Sequence, residues 1–294
     1  MQSAAKTLEF AFARPYSTRS MLAVRAKGVE PEGRVDGGEV DSAGGQVAGG
    51  DQHMRILILG GTEDARLLAE RLVAMGHAVT TSLAGKTSDP LLPKGEVRIG
   101  GFGGGDGLGN YLVSNKFDRI VDATHPYATQ IKVNAVRGAE IAEMRLVRLT
   151  RPAWTEPNYA FWKHFATAEE AAAALPPGAR ALLTIGHGLV APFLARSDCT
   201  FVVRSIEPPA KPLPAHAESL IDRPPYFPGG EKLVLESHNI THLVTKNSGG
   251  AQTEAKLGVA GQLRLPIFMI DRPTLPPAHE VPTVGQAIAA LRLS

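Results

Sequence analysis

Residues 122–128 read Asp-Ala-Thr-His-Pro-Tyr-Ala and close the run Asp118-Arg-Ile-Val-Asp122. A core strand would finish on a plain turn, yet this one ends on an acid, a hydroxyl, an imidazole and a proline. Those groups accept, donate and move protons. Pro126 can occupy the first turn of the following helix, where its missing N–H costs nothing. Thr124 or His125 would then stand at the cap, with helix N–H groups facing the space beyond the strand. Asp122 is placed to accept a hydrogen bond from a loop amide and fix the turn. His125 reads either as a donor toward a ligand or as a helix-capping residue without a chemical role.

A second stretch suited to chemistry is Gly60-Gly61-Thr62-Glu63-Asp64-Ala65-Arg66, after the run MRILIL. Glycines let a backbone approach a pyrophosphate, and a helix N-terminus offers free N–H groups and a positive dipole end. Thr62 can cap that helix or donate to a phosphate oxygen. The full G-x-G-x-x-G pattern is absent, so a tight strand-to-helix turn explains the segment equally well. About 20 residues on, a domain for NAD carries an acid for the ribose 2′-hydroxyl. Here the chain has Ser82-Leu-Ala-Gly85-Lys86-Thr-Ser, with no acid before Asp89. A hydroxyl, a glycine and a lysine suit a 2′-phosphate and favour NADP(H); an exposed lysine on an ordinary turn is the other reading.

The elements that must hold these stretches alternate. Short apolar runs at 54–61, 77–85, 97–104, 117–124 and 144–152 read as strands, with helical spacing over 63–76, 106–116 and about 126–142. The rhythm loosens after Arg151-Pro-Ala-Trp154 and resumes. Strands are expected at 179–188, 200–206, 242–250 and 265–273, with helices at 168–175, about 253–263 and near 283–292. The proline-rich segment 207–230 reads as largely loop. Such alternation predicts an α/β fold of two Rossmann-like domains, 54–150 and 151–294, with parallel sheets flanked by helices and a cofactor cleft between them.

Composition narrows the partners. The 294 residues are 44% apolar, and 31 Lys+Arg nearly balance 29 Asp+Glu for a net charge of +2. That balance argues against a dedicated nucleic-acid binder. The lone Cys199 rules out a disulfide framework and a multi-cysteine zinc site, no metal site is expected, and a reducing compartment is the simpler assumption. No run approaches the ~20 apolar residues that cross a bilayer, so a soluble, cytoplasmic protein without a membrane partner is expected. Residues 29–53 are rich in Gly and acid, and residues 1–28 carry five basic residues and one acid. Residues 1–53 read as a disordered extension, with the first domain starting at Met54.

Taken together, GGTEDAR (60–66), SLAGKT (82–87), RIGGFGG (98–104), DATHPYA (122–128), RPAW (151–154), KNSGG (246–250), TEAK (253–256) and IDRP (270–273) occur in an order and spacing that resembles the precorrin-6A reductase family of cobalamin biosynthesis. The resemblance runs from Met54 to the C-terminus. It implies NADPH-dependent reduction of a macrocycle double bond, precorrin-6A to precorrin-6B; anaerobic-pathway members act on the cobalt-containing counterpart. Lys86 departs from the arginine usual in the family, which keeps the charge but loses the planar fork.

That resemblance implies roles for particular residues. Gly60, Gly61, Thr62, Glu63, Ser82, Gly85, Lys86, Gly101, Thr124, His125 and Pro126 are the expected cofactor contacts. Proton donors for the reduction would be His125, Lys246 or Tyr127, with water as a fourth. A macrocycle fringed with carboxylates needs cations around an apolar slot. Arg148, Arg151, Arg204, Lys246, Lys256 and Arg272, with Asn247, Ser248 and Gly249, are the expected substrate contacts. The only partner expected beyond that small molecule is transient contact with neighbouring enzymes of the pathway.

Two rival readings make different demands on these residues. A short-chain dehydrogenase needs Tyr and Lys one helical turn apart, and Tyr127 and Lys132 are not so placed. A non-catalytic NADP(H) sensor would share the phosphate turns but would not need Lys246-Asn-Ser-Gly-Gly to converge on the nicotinamide.

Overall fold

The run RILIL buries four of its five side chains, as a strand covered on both faces must. It is strand β1 (Arg55–Leu59) of the computed structural model, which describes residues 53–85, 91–158 and 160–292. The expected extension over residues 1–53 lies outside the described residues, except His53, as does Lys86. After β1 the first half runs α1 (Glu63–Ala74), β2 (Ala78–Leu83), β3 (Glu96–Ile99), α2 (Gly105–Ser114), β4 (Arg119–Asp122), α3 (Thr129–Ile141) and β5 (Leu146–Leu149). The second runs β6 (Trp162–Phe165), α4 (Ala168–Ala174), β7 (Arg180–Thr184), α5 (Ala191–Leu194), β8 (Thr200–Ser205) and β9 (Ala217–Ile221). It ends with α6 (Pro228–Ser237), β10 (His242–Lys246), α7 (Ala255–Gln262), β11 (Ile267–Ile270), β12 (His279–Val281) and α8 (Val284–Arg292).

Two six-stranded sheets result, ordered β12-β5-β4-β1-β2-β3 and β6-β11-β10-β7-β8-β9. Every pairing among the described residues is parallel. Both sheets carry helices on their faces, so the α/β class with two Rossmann-like sheets is as expected. Strand order reverses between β1 and β4 in the first sheet and between β7 and β10 in the second, and those switch points are where such sheets bind ligands. All described residues fall within one compact unit, Asp51–Ser294.

One expectation needs correction. Sheet membership does not follow the expected division of the chain into 54–150 and 151–294, because β12 and α8 return to the first sheet. Arg148 on β5 reaches Glu280 of β12 at 3.0 Å and the carbonyl of Pro276 at 2.8 Å. Val284, Ala287, Ala290 and Leu291 of α8 complete the core formed by Ile56, Leu68, Val121 and Val147. β6, which directly follows β5 in the chain, takes the equivalent outer place in the second sheet. β12 has three residues and β6 four, too few for a periodic signal.

Two local readings also change. α3 begins at Thr129, not near Pro126, and its N-cap is Ala128. Pro126 disfavours the helical region for His125, and residues 125–128 form a separate turn closed by Ala128 N to His125 O at 2.9 Å. The proline-rich segment holds an edge strand, β9, whose mostly exposed side chains hide it from a burial pattern.

Candidate active site at the junction of the two sheets

Thr62 makes the first turn. Its Oγ1 accepts the Ala65 N–H at 3.1 Å and so caps α1, while its hydroxyl donates to Ala123 O at 2.8 Å. The hydroxyl proton is spent on stitching β1 to β4, which corrects the reading of Thr62 as a phosphate donor. Gly61 has φ +107, a backbone that glycine adopts without strain, and nothing stands within 4 Å of where a Cβ would be. Gly60 is closed in, since a Cβ there would lie 2.6 Å from Thr81 Cγ2. The turn offers open backbone at Gly61 and a helix N-terminus behind it.

The acid of the DATHPYA turn is structural. Asp122 is fully buried; Oδ1 accepts from Thr124 N (3.1 Å) and Thr124 Oγ1 (2.6 Å), as the sequence predicted for a turn-fixing acid. It also pairs with Lys132 Nζ and Arg148 Nε, each at 3.0 Å, from α3 and β5. Burial lowers the Lys132 pKa despite the attraction of Asp122. Arg148 is itself fully buried and divided between Asp122, Glu280 and Pro276, so it is not a cation for a substrate carboxylate. The cluster holds Thr124, and with it the whole turn, against the sheet.

His125 and Tyr127 point out of that turn toward the second sheet. His125 Nδ1 accepts the Tyr127 N–H at 3.3 Å, which leaves Nε2 carrying the proton. Burial pushes the His125 pKa down to about 3, and Lys246, Arg151, Lys132 and Arg272 add to the shift. Tyr127 Oη donates to Ile270 O at 2.5 Å and accepts the Asn247 N–H at 2.8 Å, pinning the first sheet to the strand ends of the second. Burial raises its pKa to about 12.

On the second sheet β10 ends at Lys246, whose Nζ stands 5.1 Å from the Tyr127 ring centroid. Asn247 is buried and grips Trp154 twice, Oδ1 accepting from its N–H at 2.7 Å and Nδ2 donating to its carbonyl at 3.1 Å. Trp154 Nε1 donates to Gly250 O at 3.2 Å, and Arg272 donates from Nε to Asn247 O at 2.8 Å and from Nη2 to Ser248 O at 3.2 Å. Gly249 has φ +70, and a Cβ there would stand 2.1 Å from Pro152 O, so no other residue fits. The RPAW and IDRP stretches thus brace the KNSGG loop.

Two contacts carry this loop region to the glycine turn. Arg151 Nε pairs with Asp64 at 2.9 Å, and Gln252 Nε2 donates to Glu63 Oε1 at 2.6 Å. Glu63, expected as a cofactor contact, is therefore engaged by the second sheet. His125, Tyr127, Arg151, Lys246, Asn247, Ser248, Gly249 and Arg272 gather at this junction, and Glu63 and Asp64 tie it to the turn that holds Gly61.

Other expected site residues lie elsewhere. Arg204 is buried against Glu231 at 2.7 Å and stacks on Tyr226, so it too is removed from the substrate cations. Lys256 is buried beneath Trp154, 4.6 Å from its ring, and donates to Thr253 O; burial lowers its pKa to about 7. Ser82, Gly85 and Gly101 lie at the ends of β2 and β3, away from the switch point. Sequence reasoning missed Trp154, Gln252 and Asp64 as contributors. RPAW and GGTEDAR held two of them, but nothing in a linear pattern says what a tryptophan indole or a carboxylate will touch. Among the described residues no group of His, Cys, Asp and Glu could hold a metal ion, and no helix is long and apolar enough to cross a membrane.

The model of the family described as "Precorrin-6x reductase CbiJ/CobK" matches residues 55–292. A precorrin-6A reductase of Rhodococcus erythropolis is 47% identical over 238 residues, covering 80% of this chain and 96% of the relative. Another, from Rhodobacter capsulatus, is 40% identical over 224 residues, 76% of this chain and 89% of the relative. The solved structure described as "CobK precorrin-6A reductase" superposes with a TM-score of 0.77 at 38% identity, over 81% of this chain and 96% of that one. The cation-rich junction between two parallel sheets therefore sits in a chain that belongs to the precorrin-6x reductase family.

Proposed function

We propose that this chain reduces a double bond of precorrin-6A with NADPH, giving precorrin-6B. The observation that carries the reading is the charge at the junction: Lys246, Arg151 and Arg272 all act on His125, which burial already keeps neutral. Cations gathered around an uncharged imidazole suit an anionic ligand, and both a dinucleotide and a carboxylate-fringed macrocycle are anionic. The residues fit the cofactor. Gly61 leaves open backbone beside the capped N-terminus of α1, where a pyrophosphate would rest, and Ser82 with Gly85 borders the ribose end. Lys86 remains the sequence-based expectation for 2′-phosphate contact.

NADPH, when bound, supplies a hydride, and the protein supplies position and a proton. Among the three proposed donors, His125 is neutral at physiological pH and Tyr127 has its hydroxyl hydrogen on Ile270 O. Lys246, at the end of β10 beside Tyr127, is the acid that remains, with water behind it. We assign it proton delivery, and His125 Nε2–H the orienting of a ligand acceptor. Arg272 and Arg151 are the cations assigned to carboxylates. The high-identity relatives named for the cobalt-free macrocycle favour that substrate.

The test is anaerobic turnover of precorrin-6A and of its cobalt form with NADPH, for the full chain and for Lys246→Met. Oxidation of NADPH only with macrocycle present, reduced about 100-fold or more in Lys246→Met, supports the assignment. Turnover of the cobalt form alone would move the chain to the anaerobic substrate. NADPH binding with no oxidation by either macrocycle would favour a sensor.

A further inference from the structure

Arg98 lies at the far side of the first sheet and takes no part in the junction. It stands on edge strand β3 directly opposite Ser82 of β2. Nη1 donates to Gly100 O at 2.6 Å and lies 3.3 Å from Ser82 Oγ, and Nη2 donates to Gly101 O at 2.6 Å. The guanidinium is 3.9 Å from the Phe102 ring centroid and 5.1 Å from that of Tyr111. Two carbonyls and an aromatic face thus hold the group in one place. None of them cancels its charge, and among the described residues no carboxylate pairs with it.

Three of the five N–H donors are used. The Nε–H and one Nη2–H are left without a partner among the described residues, and neighbouring donors of this kind match a phosphate. Around them Gly100, Gly101, Gly103 and Gly104 have nothing within 4 Å of where a Cβ would stand, so the loop leaves room. In parallel dinucleotide-binding sheets the end of β2 meets the adenosine ribose. An acid there holds a 2′-hydroxyl, and an arginine nearby accommodates a 2′-phosphate. This chain has buried Ser82 one residue before the end of β2 and sets Arg98 beside it.

We infer that Arg98, with the Ser82 hydroxyl, seats the ribose phosphomonoester of the cofactor and sets the preference for NADPH over NADH. The inference rests on the nicotinamide reading above and adds a residue that reading did not contain. RIGGFGG is then a phosphate-seating segment: its arginine supplies the charge, and its first two glycines supply the carbonyls that aim it.

The experiment measures affinities of the full chain for NADPH, NADH, 2′,5′-ADP and 5′-ADP by calorimetry, in wild type, Arg98→Ala and Arg98→Gln. The amide of Gln can still donate to the loop carbonyls but carries no charge, so it separates charge from loop shape if the Ala variant loses its fold. Hydrogen bonds to a charged group correspond to about 10- to 100-fold in affinity. Arg98→Gln should weaken NADPH and 2′,5′-ADP by about that much and leave NADH and 5′-ADP within about twofold. Equal losses for phosphorylated and unphosphorylated ligands would overturn the inference and make Arg98 a loop-shaping residue. Unchanged NADPH affinity would overturn it as well. A wild type that binds none of the four would instead remove the nicotinamide reading on which it stands.

Discussion

Replacing Tyr127 by Phe separates the proton donor expected from the sequence from the structural pin seen in the fold. The hydroxyl donates to Ile270 O at 2.5 Å and accepts the Asn247 N–H at 2.8 Å. Removing it costs two hydrogen bonds between the sheets but orphans neither backbone group, because the Asn247 N–H also donates to Ile270 O at 3.1 Å. A lost intramolecular hydrogen bond costs about 0.5–1.5 kcal/mol; with the two backbone groups still paired and Tyr127 only partly buried, about 1 kcal/mol is expected in all. For a domain near this size each kcal/mol corresponds to roughly 2–4 °C in Tm, so Tm should fall by about 2–4 °C. A lost proton donor would instead lower kcat by about 10²- to 10⁴-fold. With its pKa raised to about 12 by burial, the phenol is a weak acid at neutral pH. Calorimetry beside anaerobic steady-state turnover of precorrin-6A reads both quantities. We expect a lower Tm with kcat within about fivefold of wild type. An unchanged Tm with kcat down 100-fold or more would refute the pin and restore Tyr127 as the acid.

Asp122→Asn should destabilise the chain by about 3–5 kcal/mol, because Lys132 and Arg148 then sit buried without a full counter-charge. Denaturant unfolding checks this, and a loss below about 1 kcal/mol would mean water or relaxation already solvates the cluster. His125 gives a pH prediction whose sign follows from its lowered pKa. The unfolded chain binds the proton below about 6.5 and the folded chain does not until about 3. Its contribution is therefore fully present above pH 6.5 and is lost progressively as pH falls toward 3, by about 2 kcal/mol at pH 5. The stability difference between wild type and His125→Gln, followed from pH 7.5 to 5, should shrink by that amount. A constant difference would show that the imidazole is solvated in the fold.

Much of the fold was legible because its central strands are buried on both faces. RILIL, LVRL and IFMI read as apolar runs, and a cap such as Thr62 or a glycine such as Gly76 marks where helices begin and stop. The site was legible in part for the same reason. A parallel sheet places its ligand-facing turns at strand ends, so DATHPYA and KNSGG had to face outward once their strands were found. Asp122 as the acid that fixes its turn followed from the same placement.

What sequence could not settle is which charged side chains are spent on one another. Arg148, Arg204 and Lys256 all lie at strand or helix ends and are chemically fit for a carboxylate, yet all three are buried in ion pairs or beneath an indole. Their partners are 26 and 27 residues away for the two arginines and 102 for Lys256 over Trp154, separations that no local pattern encodes. The same holds for β12, which joins the first sheet through Glu280 and the apolar face of α8. Local apolar period and turn chemistry, written within a few residues, determined the elements and the motifs at their ends. Only the folded chain decided which cations stay open to a ligand, because that depends on which distant acid or ring each one meets first.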